Sequence, residues 1–166
     1  MYYFSYGSNM SIRRLRDRTP LARRIGTGTL EKHQLVFHKH GRDNSAKCDA
    51  HQTGDPNHFV VGVLYEIHPE EKPILDKVEG LGSGYEIKDV LVRLDNGSQV
   101  EAFTYYATHI NSDLKPFDWY REHVLVGARE NALPEEYIQA IEAIDFIGDN
   151  DAKRFTKEMS IYKKGV

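Results

Sequence analysis

The chain has 166 residues, 40% of them hydrophobic and 28% charged, with a formal net charge of −3, the makeup of an ordinary globular protein. That length fits one domain, residues 1–166, with a real core. No apolar run reaches the roughly 20 residues of a membrane helix, and the small acidic excess makes no global case for nucleic acid or a membrane as partner. A single cysteine, Cys48, leaves no internal disulfide, and residues 1–6 have neither a basic start nor a long apolar stretch, so a cytoplasmic location is expected.

Tyr2, Phe4 and Tyr6 alternate in a first strand that ends at Gly7, where a tight turn can form. Ser11 is placed to cap a short helix through Leu15, which Thr19-Pro20 breaks. The basic run Arg13 to Arg18, with Arg23 and Arg24, reads as a solvated helix face, the alternative being attraction of an anionic substrate. Segments 22–30 and 33–38 have strand character, and the polar stretch Gly41 to Asn57 reads as a loop. Phe59 to Ile67 is the strongest strand, β-branched and continuous enough for burial on both faces; Gly62 within it signals a bulge or a close backbone approach.

Pro69 suits a helix start, Ile74, Leu75 and Val78 repeat at helical spacing, and Gly80 can close that helix. Glu79 then sits in the last turn, the unfavourable end of the helix dipole for an anion, so helix stability does not explain it. Segments 85–94 and 99–107 flank Asp95-Asn96-Gly97-Ser98, a strong hairpin signal. Residues 117–130 read as a helix, Leu133-Pro134 starts another through Ile144, and the charged stretch 150–166 reads as a last short helix or tail.

Two places carry chemistry. The Tyr6-Gly7-Ser8-Asn9 turn can present successive backbone N–H groups to a carboxylate or oxyanion, although Gly-Ser-Asn is also ordinary turn chemistry. Glu79 leads into the glycine-dense connection Gly80-Leu81-Gly82-Ser83-Gly84, where another group can approach, although an exposed helix-end carboxylate looks the same in sequence. His38, His40, Cys48 and His51 contain zinc-like ligand types but lack knuckle glycines, so no metal is expected; Cys48 as a nucleophile lacks a visible base.

Tyr3-Phe4-Ser5-Tyr6-Gly7-Ser8-Asn9-Met10 resembles the N-terminal signature of the γ-glutamyl cyclotransferase family. Gly62-Val63-Leu64-Tyr65 is similar to that family's central strand, and Leu75 to Gly80 with Gly84-Tyr85 resembles the helix end carrying its glutamate. The block Gly127 to Pro134 and on to Tyr137 resembles a late segment of true γ-glutamylcyclotransferases. Ser5, where alanine is common, and Ala132, where glycine is common, depart from the pattern.

The resemblance implies that a γ-glutamyl donor cyclises to 5-oxoproline with release of an amino acid or amine, without metal or organic cofactor. It implies Glu79 as general acid/base and Tyr3, Phe4, Ser5, Tyr6, Gly7, Ser8 and Asn9 as the substrate cradle, with Tyr85 and Tyr137 nearby. Which substrate oxygen the cradle holds stays open. Two alternatives are a γ-glutamylamine cyclotransferase and a non-catalytic small-ligand module on the same fold. A homodimer is an expectation from relatives. Together the segments and the resemblance predict an α+β domain, a small and mostly antiparallel β-barrel of five to seven strands flanked by short helices. Its pocket should open at the barrel rim.

Overall fold

The computed structural model describes residues 1–163. Seven strands occur among them: β1 (Tyr2–Ser5), β2 (Arg23–Glu31), β3 (His33–His40), β4 (Ala46–Gln52), β5 (Phe59–Glu66), β6 (Tyr85–Leu94) and β7 (Gln99–Ala107). The helices are α1 (Ile12–Arg16), α2 (Lys72–Glu79), α3 (Asp118–Glu130), α4 (Glu135–Glu142) and α5 (Ala152–Met159). Five strands close a barrel in the order β1-β5-β2-β6-β7. All its pairs are antiparallel except the closing contact of β1 with β7 at Tyr3 and Phe103. The expected barrel is thus present, with short helices around it.

β5 lies between β1 and β2, and Val60 through Tyr65 are all buried, which is why that run carries no polar alternation. Gly62 serves close approach: a Cβ there would stand 2.7 Å from Phe4 Cζ and collide with the Ser5 carbonyl oxygen. The bulge falls instead in β2, between Arg24 and Gly26. The 95–98 turn forms as expected, with Gly97 at φ 83° and Arg93 paired to Gln99.

The stretch expected to be a loop, 41–57, contains β4. Ala46 to Gln52 holds no β-branched residue, so propensity hides it; pairing with β3 from His33↔Gln52 to His40↔Ala46, together with burial of Ala46, Cys48 and Ala50, makes it a strand. This two-stranded sheet lies outside the barrel ladder and carries Lys39 and Cys48 toward the site. Ser11 occupies the helix-start position of α1 but makes no capping hydrogen bond with its side chain. The C-terminal expectation is met by α5 and a short turn after it; residues 164–166 lie outside the described residues. Among the described residues no helix is long and apolar enough to cross a membrane.

Two anchors set the site. The 8–10 turn is held through Met10, whose carbonyl accepts from Tyr65 Oη at 2.5 Å and from Asn131 Nδ2 at 2.9 Å. Gly127 lets α3 lie against it, since a Cβ there would come within 2.6 Å of Met10 Cβ. The end of α2 is tied to the barrel by Asp76, which accepts from Tyr105 Oη at 2.6 Å and pairs with Lys72 at 2.5 Å.

Candidate active site

Glu79 is the last residue of α2, and Gly80 in the left-handed conformation (φ 79°) turns the chain away immediately after it. Its Oε1 accepts from Asn9 Nδ2 at 2.8 Å and from Arg18 Nη1 at 3.1 Å. The same Arg18 nitrogen donates to Asn9 Oδ1 at 2.6 Å, closing a triangle of three side chains. Both Arg18 and Glu79 are 18% exposed, sheltered but open to a ligand on one side. Among the described residues both hydrogen bonds to the carboxylate land on Oε1.

The triangle lies where two hollows meet. A cleft of about 250 Å³ extends outward past Ser8, Ser83, Tyr85, Trp119 and Tyr120. A small cavity of about 30 Å³ runs inward, lined by Tyr3, Tyr6, Gly7, Ser8, Asn9, Tyr85, Tyr105 and Tyr120. Glu79 borders both. Burial raises the hydroxyls of Tyr3, Tyr6, Tyr85, Tyr105 and Tyr120 above the ordinary phenol range, so they are neutral hydrogen-bonding groups and not bases. Tyr6 and Tyr85 donate to the carbonyls of Tyr105 (2.6 Å) and Cys48 (2.5 Å), which fixes the ring positions around the carboxylate. The 8–10 turn is closed by Met10 N donating to Gly7 O at 3.0 Å.

Of the residues expected at the site, Tyr3, Tyr6, Gly7, Ser8, Asn9, Glu79 and Tyr85 are brought together around these hollows. Phe4, Ser5 and Tyr137 line neither. Phe4 packs under Gly62 in the core, Ser5 is 1% exposed in β1, and the Tyr137 hydroxyl is buried beside the Val61 backbone. The late block acts by support: Gly127 and Asn131 hold the Met10 end of the turn. Ala132 sits at φ 51°, which accounts for a preference for glycine there.

Sequence reasoning missed Arg18, Asn9's link to Glu79, Lys39, Arg42 and Tyr120. The basic run was the available signal, but its periodicity reads as a solvated face. Arg14 and Arg18 instead turn inward, Arg14 onto Glu158 at 3.0 Å and Arg18 onto Glu79. The glycine-dense connection does admit another group. A Cβ on Gly84, at φ 118°, would lie 2.9 Å from Lys39 Cε, and Arg42 Nη2 lies 3.7 Å from the corresponding point on Gly80.

Of the four zinc-like residues, His38 and His51 come together while His40 and Cys48 lie apart from them. His40 contacts Asn44, and Cys48 faces Gly7 and Tyr120, its thiol pushed up to about 12 by burial, so it is inert as a nucleophile. Among the described residues the one grouping of metal-ligand type is His38, Asp49 and His51. It is built around a 2.8 Å His38–Asp49 contact, while Asp49 also accepts from Ala107 N at 2.8 Å.

The barrel rim thus joins a Tyr-Gly-Ser-Asn turn to a helix-end glutamate, and residues 59–141 of the chain match the AIG2-like family. Over 98% of this chain and 88% of the relative, the sequence is 30% identical to γ-glutamylcyclotransferase of Homo sapiens, and to the same degree to that of Bos taurus. A solved γ-glutamyl cyclotransferase superposes with a TM-score of 0.87 at 26% identity, covering 98% of both chains. An uncharacterized protein of Homo sapiens superposes at 0.85 and 26% identity, over 96% of this chain and 97% of that one. The chain belongs to the γ-glutamylcyclotransferase family.

Proposed function

We propose that this protein cyclises γ-glutamyl donors to 5-oxoproline, with Glu79 moving the protons. The observation that carries the reading is the Glu79 carboxylate, hydrogen-bonded by Asn9 and Arg18, at the meeting point of an inner cavity and an outer cleft. The family's relatives are named for this activity.

The reaction needs a folded glutamyl group more than it needs added chemistry. The α-nitrogen attacks the γ-carbonyl carbon, the new C–N bond closes a five-membered ring, and the bond to the leaving nitrogen breaks. Two protons pass from the α-ammonium to the leaving nitrogen, which departs as its own ammonium. A single carboxylate can carry them one at a time, first as base and then as acid. The outer cleft, at about 250 Å³, has room for the donor, with the glutamyl end at Glu79 beside the neutral tyrosine walls of the inner hollow and the leaving side toward the cleft mouth. Holding amine and carbonyl in contact supplies the rate advantage of intramolecularity. The N–H groups of the Gly7–Asn9 turn would stabilise oxygen charge, either of the α-carboxylate or of the developing oxyanion. A cytoplasmic location fits the single buried thiol.

The test is Glu79→Gln, which keeps size and hydrogen-bonding capacity. Turnover to 5-oxoproline should fall by about 10²- to 10⁴-fold while donor binding measured by calorimetry stays within a few-fold. Near-normal turnover by the variant would remove Glu79 as the proton carrier.

A further inference from the structure

The outer cleft is charged in a way that the cyclisation itself does not require. Five cationic side chains line it, Arg14, Arg18, Lys39, Arg42 and Lys47, against two carboxylates, Asp43 and Glu79. Three of the cations are already paired: Arg14 with Glu158 at 3.0 Å, Arg18 with Glu79 at 3.1 Å and Lys47 with Asp43 at 2.8 Å. Lys39 and Arg42 have no carboxylate within ion-pair distance among the described residues.

Their placement is not that of stray surface charges. Lys39 is only 6% exposed, its ammonium 4.8 Å from the Tyr85 ring centre and its stem laid over Gly84. Burial lowers its pKa, Glu79 and Asp43 act the other way from a distance, and Arg42 is near enough to repel it. Arg42 stands at the mouth, exposed, beside Gly80. Two like charges thus line one cleft, one desolvated and one at the entrance, and neither is in an ion pair among the described residues. Such an arrangement is relieved by an anion from outside.

We infer that Lys39 and Arg42 form a leaving-group clamp that selects γ-glutamyl donors by the negative charge on the leaving side, favouring a dicarboxylic amino acid over a monocarboxylic one and either over an uncharged amine. This rests on the proposed cyclisation and adds to it a specificity that the proton-carrying machinery alone lacks. A leaving group of charge −2 matches both unpaired cations, −1 leaves one unmatched, and an uncharged amine leaves both.

The test uses three donors that differ on the leaving side alone: γ-glutamylglutamate, γ-glutamylalanine and γ-glutamylethylamide. With the wild-type protein at low salt, kcat/KM for 5-oxoproline release should fall in that order, by about tenfold per charge, and the spread should narrow as ionic strength rises. Arg42→Gln, an exposed and safely folded change, should erase most of the gap between the first two donors. Lys39→Met should lower both anionic donors toward the ethylamide, which itself should change little. Equal kcat/KM for the three donors, or an unchanged spread in both variants, overturns the clamp. Release of 5-oxoproline from none of them would count against the cyclisation reading. In that case calorimetry of the same ligands on Glu79→Gln decides the clamp separately: tighter binding of γ-glutamylglutamate supports it, and equal binding overturns it.

Discussion

Replacing Arg18 with methionine keeps much of the aliphatic stem and deletes the guanidinium. In the folded protein one Arg18 nitrogen serves two acceptors, Asn9 Oδ1 at 2.6 Å and Glu79 Oε1 at 3.1 Å. Asn9 and Glu79 keep their own 2.8 Å bond when Arg18 is gone, so the carboxylate is not left bare. A hydrogen bond between charged groups contributes about 1.5–3 kcal/mol, and water can enter from the cleft to replace part of two, so the net loss should be about 2–3 kcal/mol. If that loss falls on the transition state, kcat/KM drops by roughly 30- to 150-fold. The assay is 5-oxoproline release from a single donor by Arg18→Met, Arg18→Lys and the Arg18→Met/Glu79→Gln pair. Arg18 is a positioning residue in this account, acting through Glu79. The double variant should therefore be no slower than Glu79→Gln alone, and lysine should recover part of the rate. A single variant within twofold of wild type, or full additivity with Glu79→Gln, would refute the reasoning.

Two further outcomes concern the scaffold. Gly62→Ala forces a methyl group against the Phe4 ring and the Ser5 carbonyl, two neighbours in the paired β1 strand that have little room to yield. Overpacking of this kind costs about 1–3 kcal/mol, which for a chain of this length lowers Tm by roughly 3–9 °C in a thermal melt; an unchanged Tm would contradict the close approach. His123, fully buried between Arg14, Glu158 and Tyr162, is pushed down to about 4 by burial against the pull of Glu158. The unfolded chain, with histidine near 6.5, binds the proton more readily, so stability is lost as pH falls from about 6.5 toward 4. Melts across that range should show a shallower slope for His123→Gln than for wild type, and parallel slopes would count against the assignment.

Much of this was legible in the chain because it is local. The β-branched run at Phe59 to Ile67, the Asn-Gly turn at 96–97, and the Pro69 start and Gly80 stop around α2 each follow from backbone preferences within a few residues. Glu79's position at a helix end belongs to the same class, as does the turn at Gly7. An anion at the negative end of a helix is what local rules mark as costly, and it was the family resemblance that raised Glu79 above an ordinary helix-end carboxylate.

The sequence by itself determined six of the seven strands, the helices, and the positions of the Gly7 turn and of Glu79 at a helix end. Only the tertiary structure decided what those two meet. Arg18 lies 61 residues from Glu79 in the chain and Asn9 lies 70 away, so no periodicity connects them. β4 is a strand because β3 supplies its hydrogen bonds, and that pairing carries Lys39 to the wall of the cleft. Arg14 and Arg18, a solvated face by spacing, become inward charges because Glu158 and Glu79 arrive from distant segments to neutralise them. Charge pairing and cleft lining depend on which surfaces closure of the barrel brings together, a property of the whole chain and not of any window in it.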